Sequence, residues 1–294
     1  MRTETVIDTV AIQVNFYDEV ECSTVHDNLF ERLERYGYKV DNRPKVEYHN
    51  KDVARIAHIA TIDKGTYSYK KQNMDKEKQV WYLSITLAGL KKYIPWRDKV
   101  SHNCLLLIIS YLKTNRYPYE VKQFDVALNI FTKYENTMVL CTNKVKKREY
   151  YEANEKQLYS TTKWIEKFRN AKHKADAIFC GCHYCKATKE KLKFPLTRHE
   201  VSYQKNFFKA NGFDIGAIYN EFNRYHVLYA PNKKKQQEIK DWYDSKEVIR
   251  HKDIKNMRLE RYRLHIDINV LVSFATLLYV VDDETLEYHL YNTI

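Results

Sequence analysis

The chain of 294 residues is long enough to bury a core without disulfide staples, and its 44% hydrophobic content with only six glycines and five prolines excludes collagen-like and Pro-rich disordered classes. Fifty Lys and Arg face 38 Asp and Glu, so the formal charge of +12 predicts a polyanionic partner, nucleic acid or an anionic surface. No apolar leader follows Met1, and the longest apolar run, Val270 to Val281, is interrupted by Ser273 and Thr276 and falls short of the about 20 residues a bilayer span needs. A soluble, cytoplasmic protein with no membrane partner is expected, its six cysteines reduced.

In chain order, Val10, Ile12, Val14 and Phe16 alternate with Ala11, Gln13 and Asn15, the period of a half-buried strand. His26 to Tyr36 then places Leu29, Phe30, Leu33 and Tyr36 at helical spacing and stops at Gly37. Short β-branched or aromatic stretches at Arg55–Ile62, Thr66–Lys70 and Val80–Leu87 predict an antiparallel meander. Val100 to Leu112 is apolar over more than three turns and predicts a buried helix capped by Asp98.

From Val121 to Ile130 the alternation returns, with Phe124, Val126, Leu128 and Ile130 on one face and Gln123, Asp125, Ala127 and Asn129 on a polar one. A basic, helical section at about 150–172 leads to a strand near Asp176–Tyr184, a turn at Lys186–Lys191 and a strand at Leu196–Gln204 that sets Arg198, Glu200 and Ser202 on one face. Residues beyond about 215 read as helical and charged and end near the acidic Asp282-Asp283-Glu284. No internal repeat or low-complexity tract is present.

The positive charge is concentrated mid-chain: Lys133 to Lys193 holds fifteen Lys or Arg against seven Asp or Glu. Within it Lys144, Lys146, Lys147 and Arg148, followed by Tyr150, Tyr151, Trp164 and Phe168, combine phosphate-pairing charge with rings on which bases stack, a mixture suited to single-stranded DNA. The same residues also fit a solvated helix face backed by core aromatics.

Asp125 and Glu200, each on a polar strand face, are the candidates to hold a hard divalent cation, Mg²⁺ or Mn²⁺, through oxygen ligands. The competing reading makes each a solvated or Arg-paired strand residue, with Arg198 the partner of Glu200. Tyr184 is a candidate nucleophile that needs a metal, a base or a cation such as Lys186 to act near neutral pH; aromatic packing is its alternative among 25 tyrosines. Cys180, Cys182, His183 and Cys185 offer soft ligands for zinc but lack a second ligand pair at finger-like distance, and buried thiols are the alternative.

Taken in order, Val6-Ile7-Asp8-Thr9-Val10, Phe124-Asp125-Val126-Ala127-Leu128, Tyr184-Cys185-Lys186 and Leu196-Thr197-Arg198-His199-Glu200-Val201 resemble the rolling-circle replication initiators of filamentous phages and related plasmids, of the gene II/X type. The resemblance covers roughly residues 5 to 215 and implies an α+β fold, HUH-endonuclease-like, with a central antiparallel sheet and flanking helices, internal duplication being left open. It divides the chain into a nicking domain at 1–215 and a helical extension at 216–294. By the same resemblance Tyr184 is the nucleophile, Lys186 its companion, Asp125 and Glu200 the metal-site acids, and Arg198 the arginine before the glutamate.

Three positions depart from the family's pattern. Gln123 stands where arginine is usual, Cys185 where many members have aspartate, and His199 where the family has a hydrophobic residue; His199 points to the face opposite Glu200. The implied activity is site-specific nicking and rejoining of one DNA strand in a bacterial host, with the host helicase and polymerase as further partners. The alternative is a non-catalytic DNA-binding replicon regulator, which explains the +12 charge equally well.

Overall fold

The computed structural model describes residues 1–36, 38–41, 45–48, 57–71, 74–88, 95–141, 163–164, 179–246 and 250–280. It is a mixed α/β structure of antiparallel strands and flanking helices that divides into two compact units. The first comprises residues 1–6 and 125–272, the second 7–124 and 273–294, so the division cuts strand β1 (Thr3–Phe16) and strand β6 (Tyr119–Ile130). No helix among the described residues is long and apolar enough to cross a membrane.

In the second unit the strands β2 (Tyr38–Asp41), β3 (Lys45–Tyr48), β4 (Ala57–Lys71) and β5 (Met74–Ala88) lie in the order β2-β3-β4-β5-β1. Alternation in β1 does what the sequence predicts: Val10, Ile12 and Val14 are buried and stand opposite the buried Leu87, Ile85 and Leu83 of β5. Each such side chain removed from water contributes about 1.5–3 kcal/mol.

Helix α1 (Glu19–Arg35) begins well before the predicted start, because Asp18 accepts the Val20 N–H and Glu19 and Glu21 favour the positive end of the helix. It buries Cys22, Val25, Leu29 and Leu33, one stripe at helical spacing. Helix α2 (Pro95–Thr114) buries every residue from Cys104 to Ser110 and is fastened to α1 by Arg32 donating to the Ser110 hydroxyl at 3.0 Å.

Two expectations change here. The described residues of the first stretch, 57–62, and Thr66–Lys70 belong to one strand, β4, because Asp63, Lys64 and Gly65, polar enough to read as a turn, pair with Tyr82, Trp81 and Val80 of the equally long β5. The only irregularity in that pairing is a register shift between Ile59 and Ile62. Asp98 lies inside α2, three residues after its first, and so is not its cap.

In the first unit β6 is followed by β7 (Thr137–Cys141), β8 (Lys163–Trp164), β9 (Phe179–Cys185) and β10 (Thr197–Gln204), and one sheet runs β6-β10-β9-β8. Trp164 therefore sits in a strand, not in the expected helix. The expected turn after β9 is helix α3 (Lys186–Glu190).

The remaining helices of this unit are α4 (Lys205–Asn211), α5 (Ile215–Phe222), α6 (Lys233–Asp244), α7 (His251–Asn256) and the start of α8 (Ile268–Val280). The stretch beyond 215, read as helical, also supplies strands β11 (Tyr225–Tyr229) and β12 (Arg263–Leu264), which form a three-stranded sheet in the order β12-β11-β7. Leu140, Leu228, Ala230, Ile239, Ile254 and Leu259 make the core beneath that sheet.

Candidate active site

The β9–β10 ladder sets the geometry of the site. Tyr184 stands directly opposite Arg198, and Cys182 opposite Glu200, so Tyr184, Arg198 and Glu200 share one face of the antiparallel pair. Their side chains meet there. The Tyr184 hydroxyl donates to Glu200 Oε2 at 3.3 Å, and Arg198 Nη1 lies 3.5 Å from the same oxygen.

Arg198 is fully buried, and its charge is held by a second contact, Nε donating to Asn129 Oδ1 of β6 at 2.8 Å. Asn129 in turn donates to Glu4 Oε2 at 3.4 Å. A guanidinium is suited to this place because its rigid fork serves two acceptors at once. The Arg198–Glu200 pairing foreseen from their spacing is present.

Glu200 keeps 18% of its side chain exposed, and both of its hydrogen bonds fall on Oε2. Asp125 is buried on β6. It has the same strand parity as Asn129 and therefore the same sheet face, four residues away, about 13 Å along the strand. The polar face expected for β6 is covered, since Asp125, Ala127 and Asn129 are all buried along with Phe124, Val126 and Leu128. Among the described residues no group of three or more His, Cys, Asp or Glu side chains gathers as a metal cage.

Lys186 opens α3 and is buried with its ammonium 3.0 Å from Glu190 Oε1 and 5.9 Å from the centre of the Tyr184 ring. Lys189, one turn on, brings its ammonium to 5.0 Å from the same ring. Two cations thus lie near the Tyr184 ring. Tyr184 is itself only 4% exposed.

The opposite face of the ladder is an aromatic interior. His183 and His199 pair across the strands with ring centres 5.9 Å apart, and His199 also packs on Phe222 and Tyr225. His199 points away from Glu200, as its parity predicts, and burial together with the neighbouring His183 holds it well below its usual range. The His183 Nε2 lies 2.9 Å from the Thr137 hydroxyl. Tyr134, half-buried and close to Cys185, has its phenol pushed up to about 12 by that partial burial and by the nearby thiol.

Of the expected site residues, Tyr184, Arg198 and Glu200 come together directly, Lys186 stands beside Tyr184, and Asp125 shares the sheet face of Asn129. Lys144, Lys146, Lys147 and Arg148, with Tyr150, Tyr151 and Phe168, lie outside the described residues, as does Asp282-Asp283-Glu284. Sequence reasoning missed Asn129, Glu190 and Lys189. Asn129 has a visible signal, the strand parity it shares with Asp125, whereas Glu190 and Lys189 depend on a helix where the sequence predicts a turn.

No protein-family model matches the chain, and no curated protein matches it in sequence. Among solved structures it is similar to a rolling-circle replication initiator protein from Geobacillus stearothermophilus, at 10% identity over 90% of this chain and 100% of that one, with a TM-score of 0.39. At that level the similarity carries no argument about fold or chemistry, and the site is read on its own geometry.

Proposed function

We propose that this chain is a site-specific DNA nicking and closing enzyme that starts rolling-circle replication of a phage or plasmid in the cytoplasm of a bacterial host. One observation carries the reading: a tyrosine hydroxyl, a carboxylate and a buried guanidinium converge on one face of paired strands within 3.5 Å. The order of motifs in the sequence supports the same class. All five residues assigned to the chemistry lie between 125 and 200, inside the expected nicking region 1–215.

In the proposed reaction the Tyr184 oxygen attacks the scissile phosphorus in line. The new P–O bond forms to tyrosine as the bond to the 3′ oxygen breaks; the phenol proton passes to Glu200, and the departing 3′ oxygen takes up a proton to become the free 3′-OH that primes a host polymerase. The 5′-phosphotyrosyl link conserves the phosphodiester for rejoining. Arg198 and Lys186 stabilise charge on the phosphoryl oxygens and on the phenolate.

Asp125 and Glu200 are hard oxygen donors that suit Mg²⁺ or Mn²⁺. Such an ion, when bound, polarises the scissile phosphate.

The test is incubation of the full chain with supercoiled and single-stranded DNA carrying its own replicon's origin, with Mg²⁺ or Mn²⁺ against EDTA, read on a denaturing gel. A metal-dependent nick with protein on the 5′ end, lost in Tyr184→Phe, is the expected result. The burial of Tyr184 favours a second reading, a DNA-binding regulator in which the tyrosine is structural. That reading predicts tight, salt-sensitive binding of the origin with no nick and no effect of Tyr184→Phe.

A further inference from the structure

A second aromatic feature lies beside this site and is used by none of the chemistry above. Phe194, in the loop between α3 and β10, keeps 40% of its surface exposed although it is a large apolar ring. It stacks on Phe131, just past the end of β6, with ring centres 6.3 Å apart and planes 24° from parallel. The Arg2 guanidinium lies 4.2 Å from the centre of the Phe131 ring.

The backbone holds this arrangement. Ala187 N–H donates to the Leu196 carbonyl and Leu192 N–H to the Ala187 carbonyl, each at 2.9 Å, folding the loop onto α3. The Thr197 hydroxyl donates to the Thr132 carbonyl at 3.0 Å, which fixes the start of β10 against the turn that carries Phe131. The rings are thus presented by a tied loop and a strand end.

Exposed lysines flank the two rings in the chain. Lys133, Lys189, Lys191 and Lys193 are all exposed, and Glu190, the one acid of the α3 segment, is engaged by the buried Lys186. Lys189 joins the patch to the nucleophile, 5.0 Å from the Tyr184 ring. Phe194 thus offers solvent part of a ring that is stacked on Phe131, with exposed lysines near it in the chain. That combination is what a single-stranded nucleic acid needs, a π-face for a base and cations for the flanking phosphates.

We propose that Phe194, backed by Phe131, is a stacking platform for single-stranded DNA, and that Lys191 and Lys193 hold the phosphates of the strand as it runs toward Tyr184. The assignment deepens the nicking reading and rests on it for the choice of a single strand over other polyanions. It places a strand contact in described residues, separate from the Lys144–Arg148 run.

The test is fluorescence anisotropy of the full chain with a labelled 20-nucleotide oligo-dT, and with a labelled 20-base-pair duplex. Phe194→Ala is expected to raise Kd for oligo-dT about tenfold, a typical loss for one stacked base, with Phe194→Trp close to wild type. Lys191→Ala/Lys193→Ala is expected to reduce the steepness of log K against log salt by about 1.4, two phosphate contacts on a single strand. Duplex affinity should change less than twofold in Phe194→Ala.

Wild-type oligo-dT affinity in Phe194→Ala, an equal loss for duplex, or failure of Phe194→Trp to restore binding overturns the platform. The nicking gel is a separate readout. A chain that never nicks but loses oligo-dT on Phe194→Ala keeps the platform and loses the enzyme, whereas one that nicks while Phe194→Ala binds normally does the reverse.

Discussion

Arg198 is the most constrained side chain of the site, fully buried with a permanent charge that Asn129 and Glu200 must satisfy. Asn129→Ala removes the 2.8 Å acceptor of a buried cation, so it is expected to cost about 1.5–3 kcal/mol in urea unfolding. Nicking should slow in the same variant, because Arg198 loses its anchor. His199 sets a pH dependence of its own. Held well below 6.5 by burial and by His183, it stays neutral in the folded chain while the unfolded chain takes up a proton below about pH 6.5. The unfolded state then binds more protons, so the contribution of His199 to stability is fully present above that pH and is lost as pH falls, by at most about 1.4 kcal/mol per pH unit. The urea midpoint is expected to be lower at pH 5.5 than at 7.5, and His199→Phe, which fits the aromatic surroundings of Phe222 and Tyr225, should make the slope shallower.

At the scale of elements, one face of the β9–β10 pair carries Tyr184, Arg198 and Glu200 while the other is firmly packed. Gly181 makes that packing possible: a Cβ there would stand 2.9 Å from Cζ of the Tyr225 ring and 3.0 Å from its hydroxyl oxygen. Gly181→Ala is therefore expected to destabilise the protein by about 1–3 kcal/mol, the usual cost of overpacking. Tyr225→Leu, which removes the crowding ring, should leave Gly181→Ala much less harmful than it is in the wild type. Non-additivity in that double-mutant cycle, measured by urea unfolding, is the expected sign of direct contact. The fusion of two expected strands into β4 has a comparable cause. Fifteen residues of β5 offer hydrogen-bonding partners that local polarity at Asp63-Lys64-Gly65 cannot outweigh.

For the molecule as a whole, the net charge of +12 and the chemistry of the site give separable predictions. Binding to origin DNA is expected to weaken steeply with salt, since displaced counterions supply much of the affinity. Chelation of divalent ions is expected to leave that binding largely intact while abolishing the nick, because the ion is assigned to Asp125, Glu200 and the scissile phosphate rather than to the fold. Parallel filter-binding and gel assays with and without EDTA separate the two effects.

Sequence alone settled what depends on local periodicity and on order along the chain. The alternation in β1, the buried stripe of α1, the shared parity of Arg198 and Glu200 and the turn of His199 away from Glu200 follow from the two-residue and 3.6-residue repeats, which are properties of the backbone. The run of positive charge and the succession of Asp125, Tyr184, Lys186, Arg198 and Glu200 are likewise written in the chain. Tertiary structure decided what depends on partners distant in sequence. The covering of both faces of β6 turned an expected polar surface into interior, and the register of β9 on β10 set Tyr184 opposite Arg198. Pairing with β7 made a strand of Tyr225–Tyr229 in a stretch read as helical. Asn129 meets Arg198 across 69 positions of sequence and Phe131 meets Phe194 across 63, contacts that no local pattern encodes because they exist only once the sheet has brought strand ends together.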